Sequence, residues 1–111
     1  MKKPVYNASN SPITIDSTKS GTSLDVTGMN PQTLAVALTL TSATAPVGIT
    51  ATLQGSLDDA SFFDIGSPVN LTANGVEILA ATSVPFAFYR VDYSRTSGSI
   101  ISTEQFLIYG E

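Results

Sequence analysis

The segment TLAVALTLT, Thr33 to Thr41, decides the fold. Its large apolar side chains fall on every second residue: Leu34, Val36, Leu38 and Leu40. Ala35, Ala37 and Thr39 take the positions between them. A helix is the rival reading, because Leu and Ala both favour it. A helical face, however, repeats about every 3.6 residues, and this row repeats every two. Threonine at both ends points the same way. The segment therefore reads as a strand with one buried face.

The same pattern extends outward on both sides. Upstream, Ile13 and Ile15 alternate with Thr14 and Asp16, and Leu24 and Val26 with Asp25 and Thr27. Ser20-Gly21 and Gly28-Met29-Asn30-Pro31 break the chain between them. Downstream, Ala45-Pro46-Val47-Gly48 reads as a turn, and Ile49, Ala51 and Leu53 alternate again. Gly55 to Ser61 is a loop tip, Phe62, Phe63 and Ile65 return to the core, and Gly66-Ser67-Pro68 is a further break before Val69 and Leu71. Asn74-Gly75 suits a type I′ hairpin turn, because both residues tolerate positive φ. Val76, Ile78 and Leu79 then run back. In residues 86–95, Tyr89, Val91 and Tyr93 share one face, and Phe88, Arg90 and Asp92 the other. Ser97-Gly98-Ser99 reads as a tight turn before a last strand through Phe106 and Tyr109.

About eight or nine short strands with turns roughly every 8–12 residues describe an all-β fold. The expectation is one antiparallel β-sandwich or jelly roll of about eight strands. A chain of 111 residues suits one core. Residues 1–11 read as a flexible N-terminal arm and 12–111 as the β-sandwich domain. Within the arm, Lys2, Lys3, Val5 and Tyr6 are candidates to dock on a neighbouring subunit.

Composition narrows the function. Charged residues are 13% of the chain, about half the usual share, and the net charge is -4. Five scattered basic residues argue against a nucleic-acid partner. No apolar run reaches the roughly 18 residues of a membrane span. Met1-Lys2-Lys3-Pro4 leads into polar residues rather than an apolar stretch, so no export signal is expected. Histidine and cysteine are both absent. That removes the usual general base, the common nucleophile pairs and ordinary zinc sites. No cofactor, metal or catalytic residue is expected.

Carboxylates remain. Asp58 and Asp59, with Asp64 nearby, suit an Asp-capped turn, and acid clusters also hold calcium or cleave glycosides. Arg90 and Asp92 project to one face of their strand, as a surface ion pair or a polar contact to a partner. Phe62 and Phe63 are adjacent, so one of them points away from the core; Phe62 is the candidate for an interface.

The layout "GSLDxxxFxDIG … ANG … PFxFYRVDY", carried by Gly55 to Gly66, Ala73 to Gly75 and Pro85 to Tyr93, resembles small β-sandwich structural proteins of tailed bacteriophages. It also looks like the grammar of discoidin-type sandwiches. It departs from the sugar-binding members in having neither tryptophan nor cysteine, so no ligand residues carry over. The resemblance implies a virion component made in the host cytoplasm, most simply a capsid decoration protein. Its partners would be the major capsid protein or other virion proteins, and copies of itself. A neck or tail component, or a module binding host-surface carbohydrate, is the alternative.

Overall fold

The computed structural model describes residues 3–27, 33–82 and 86–110. Eight strands follow one another: β1 (Lys3–Ser9), β2 (Ile13–Ile15), β3 (Lys19–Ser20), β4 (Leu24–Asp25), β5 (Thr33–Ser56), β6 (Phe62–Leu71), β7 (Gly75–Thr82) and β8 (Phe88–Gly110). All pair antiparallel in a single sheet, and no helix occurs among the described residues.

Two of these strands are far longer than a single layer needs, and both bend in the middle. The first half of β5 pairs β7 on one side and the second half of β8 on the other. The second half of β5 pairs β6 and the first half of β8. Layer I is therefore β1 and β2, late β8, early β5, then β7. Layer II is β3 and β4, early β8, late β5, then β6. With no helix to cover it, a sheet that buries one whole face must fold over on itself. One hydrophobic cluster accordingly joins Leu34, Leu38 and Phe106 of layer I to Ile49, Leu53 and Tyr89 of layer II.

The buried row changes phase at the bend. In β5 it is even-numbered from Leu34 to Leu40 and odd-numbered from Ile49 to Leu53. In β8 it is odd-numbered from Tyr89 to Tyr93 and even-numbered from Ile100 to Ile108. Extra residues do this: the register slips between Thr41 and Thr44, Thr44 and Gly48, and Gly48 and Ile49. Inserted residues bend a strand and move its side chains to the other face. Ala45-Pro46-Val47-Gly48 and Ser97-Gly98-Ser99, read above as turns, are thus corners inside continuous strands. The Ala45–Pro46 peptide is cis, Ser42 has φ 55 and Gly98 φ 71. Thr96 Oγ1 donates to Gly48 O at 3.0 Å, tying the two corners together.

Two further expectations are corrected. Asn74-Gly75 turns the chain, but β6 and β7 do not pair with each other. The turn carries the chain from layer II to layer I, and Asn74 Oδ1 accepts the Ala43 N–H at 2.9 Å, anchoring it at the β5 corner. The flexible arm does not describe residues 3–9, which form β1 against the end of β8, from Lys3 opposite Gly110 to Ser9 opposite Gln105. Without β1 the end of β8 would expose unpaired backbone groups, and Pro4 is tolerated because it lies on an edge strand beside a bulge.

Gly98 and Gly66 separate conformation from crowding. Both have positive φ, but a Cβ on Gly66 meets nothing, whereas one on Gly98 would lie 2.5 Å from Pro46 O and 2.6 Å from Thr44 O. Gly66→Ala is expected to cost about 1 kcal/mol from backbone strain alone. Gly98→Ala adds a clash with backbone at the paired corner and is expected to cost more than about 2 kcal/mol. Urea denaturation of both variants checks this; equal losses would contradict the crowded corner.

Candidate functional site

The Asp58 loop is built by its own hydrogen bonds. Asp58 Oδ1 accepts from the Ser56 hydroxyl and from the Ala60 and Ser61 amides, each at 2.9 Å. Ser56 Oγ in turn accepts from the Asp58 and Asp59 amides. The Ser61 and Ala60 amides, with the Ser56 hydroxyl, hold the Asp58 carboxyl below its ordinary range. Asp59 sits at φ 61, a conformation Asp accepts better than most residues. Asp58 thus acts as the turn cap. Among the described residues, no three His, Cys, Asp or Glu side chains converge as a metal site.

Arg90, Asp92 and Phe62 lie on the outer face of layer II. Register places Gln54 between Asp64 and Arg90. Arg90 Nε donates to Gln54 Oε1 at 2.9 Å, and Gln54 Nε2 donates to Asp64 Oδ1 at 2.8 Å. The guanidinium lies 3.7 Å from the centre of the Phe62 ring. Asp92 Oδ1 accepts from the Ser20 hydroxyl at 2.7 Å. Arg90 and Asp92 therefore bond to different neighbours, not to each other. This face is a self-satisfied polar strip, and Phe62 is half-buried within it.

Phe63, not Phe62, is the exposed member of the pair, at 58%. It pairs opposite Gly55, so it follows the inward row to the open end of the sandwich. There Phe86 stacks on it at 6.3 Å and meets Tyr89 edge-on at 6.0 Å. Phe86 fills the space that a side chain on Gly55 would need. Alternation alone predicts that one of two adjacent aromatics leaves the core; it does not show where the core ends.

The outer face of layer I is different in kind. Across the sheet run Ala80, Ala35, Leu107 and Asn7; then Ile78, Ala37, Gln105 and Ser9; then Val76, Thr39 and Thr103. None of these side chains is ionisable. Val76 and Ile78 are 61% and 63% exposed. Sequence reading placed Val76 and Ile78 in a strand but did not single them out, because their exposure depends on which side of β7 is covered. Of the arm candidates, Lys2 lies outside the described residues; Lys3, Val5 and Tyr6 are described only as backbone, in β1.

One carboxylate lies inside. Glu104, 1% exposed, accepts from Tyr93 Oη at 2.6 Å and from Asn10 Nδ2 at 2.8 Å. Tyr93 Oη also bonds Ser102 Oγ at 2.9 Å. Tyr93 belongs to layer II and Glu104 to layer I, so this network spans the sandwich interior. Gly21 leaves the room that the Glu104 carboxylate occupies. Burial raises the Glu104 carboxyl above its ordinary value, against the lowering effect of its two donors. Burial first, and then the Glu104 charge, push the Tyr93 hydroxyl up.

No protein-family model matches the chain, and no curated protein matches it.

The raised Glu104 carboxyl favours its neutral form in the folded state. Its contribution to stability is full below the ordinary glutamate value of 4.5 and is lost as pH rises through the raised folded value. The lowered Asp16, Asp25 and Asp58 act in the opposite sense, and only as pH falls below 3.8. Glu104→Gln can still accept from Asn10 and donate to the Tyr93 oxygen, with Tyr93 donating to Ser102, and it removes the titration. It is expected to be about as stable as the parent near pH 4.5 and more stable near pH 8. Denaturation across that range tests this, and parallel curves would rule it out. Tyr93→Phe is expected to cost roughly 1–3 kcal/mol by stranding buried acceptors.

Proposed function

We propose that this chain is a non-enzymatic structural protein of a tailed-bacteriophage particle, a decoration protein seated on the major capsid protein. The observation that carries the reading is the outer face of layer I. Its Ala, Leu, Val, Ile and Thr side chains form a low, charge-free surface across β7, β5 and β8. Such a surface loses little on desolvation and suits close packing against another protein. The opposite outer face keeps its charges in internal hydrogen bonds. The resemblance of Gly55 to Tyr93 to phage sandwich proteins supplies the particle.

Quantitative mass spectrometry of purified particles tests this. Tens to hundreds of copies are expected for a decoration protein. About a dozen or fewer would place the chain in the neck or tail instead, and absence from the particle would end the reading. Ala37→Glu sets an unpaired charge in the middle of the layer I face. It is expected to weaken particle binding by at least about tenfold while leaving the thermal transition of the free protein nearly unchanged. Asp92→Ala, on the other face, is expected to leave binding intact.

A further inference from the structure

We propose that β7 pairs edge-to-edge with β7 of a second copy, around a two-fold axis that passes by Ile78. An open strand edge presents a row of unpaired N–H and C=O groups, and proteins normally blunt such edges. The other margins of this sheet are blunted. β6 carries Pro68, Gly66 at φ 72 and a register break opposite Ala51 to Leu53. β1 carries Pro4 and a bulge between Pro4 and Tyr6. β2, β3 and β4 have only three, two and two residues. β7 has neither proline nor bulge; its positive-φ glycine, Gly75, is its first residue, and it carries one charge, Glu77. It runs from Gly75 to Thr82 without proline, in unbroken register with β5 from Leu40 to Thr33. Among the described residues, no strand pairs with its other side.

Parity, charge and the exposed apolar row of Val76 and Ile78 together set the register for a second copy. Glu77 is the one ionisable residue of the strand. Residues that face each other in an antiparallel pair lie on the same side of the sheet. A symmetric β7 pair therefore centres on a residue facing itself, and one-residue slips are forbidden. Centring on Glu77 would oppose two carboxylates and is disfavoured. Centring on Ile78 sets Ile78 against Ile78 and Val76 against Ala80, which joins the two apolar rows. It sets Glu77 against Leu79, so the two acids stand diagonally and not directly opposed. In that arrangement the exposed Val76 and Ile78 form the seam of a sheet that continues through both copies. The interface concerns the free protein and stands whether or not the layer I face meets a capsid.

Cysteine cross-linking of the purified full chain tests this against a cysteine-free background. Facing Cα atoms in an antiparallel pair lie about 4.5–5.5 Å apart, within disulfide range. Ile78→Cys is expected to give a disulfide-linked dimer on mild oxidation. Val76→Cys is not, since the two copies of residue 76 would stand about 13 Å apart along the strands. Ile78→Lys opposes two ammonium groups and is expected to weaken dimerisation at least about a hundredfold in analytical ultracentrifugation. Circular dichroism of the reduced Cys variants and of Ile78→Lys is expected to match the parent. A parent that stays monomeric to about 1 mM, or a dimer that survives Ile78→Lys, overturns the proposal. So does cross-linking of Val76→Cys as readily as Ile78→Cys.

Discussion

The ladder between β5 and β8 is the constraint on which the molecule depends. It begins with Thr33 opposite Tyr109, passes a shared corner, and ends with Ser56 opposite Phe88. Every other strand is attached to one of these two: β6 and β7 to β5, and β1 to β4 to β8. In a sandwich of separate sheets, layers meet only through side chains. Here the backbone runs through both, so the spacing and angle of the layers follow from where the two strands bend. The phase change at each corner keeps apolar side chains inward on both sides. Without it, one layer would turn its hydroxyls to the core and its leucines to water.

Tyr93, Ser102 and Glu104 add a second tie in the same place. All three lie on β8, on either side of its corner, and their hydrogen bonds cross the interior. Asn10 brings in the connection between β1 and β2. A buried carboxylate is a costly way to join elements, since burial opposes its ionisation. Its donors are directional, however, and a fully paired polar group specifies one arrangement where an apolar contact tolerates several. Among the described residues the interior is thus apolar along most of its length and polar at this bridging point.

Much of this was legible in residue order. Period-2 rows at Leu34–Leu40, Ile49–Leu53 and Tyr89–Tyr93 identified strands and their buried faces correctly, because alternation is a direct consequence of the pleat. The corners were not legible. Pro46, Gly48 and Gly98 mark a change of direction, but a hairpin turn and a bend within a long strand use the same residues. The partner that tells them apart is distant in the chain. For the same reason Asn74-Gly75 suggested a hairpin and proved to be a crossing between layers. Asp58 was readable as a cap because its partners are local. The layer I face and the exposure of Phe63 were not, because both depend on where other strands stop.

The order in which the strands are made has a consequence of its own. β1 to β4, from Lys3 to Asp25, find all their pairing partners in β8, the last of the described strands. During synthesis β5, β6 and β7 can begin to pair as they emerge, but the opening quarter has nothing to join until residues 88–110 exist. Non-local pairing of this kind slows folding and leaves strands open to wrong partners in the meantime. The brevity of β2, β3 and β4, and the proline in β1, then serve the nascent chain as well as the finished one. They are poor templates for a stray strand while they wait.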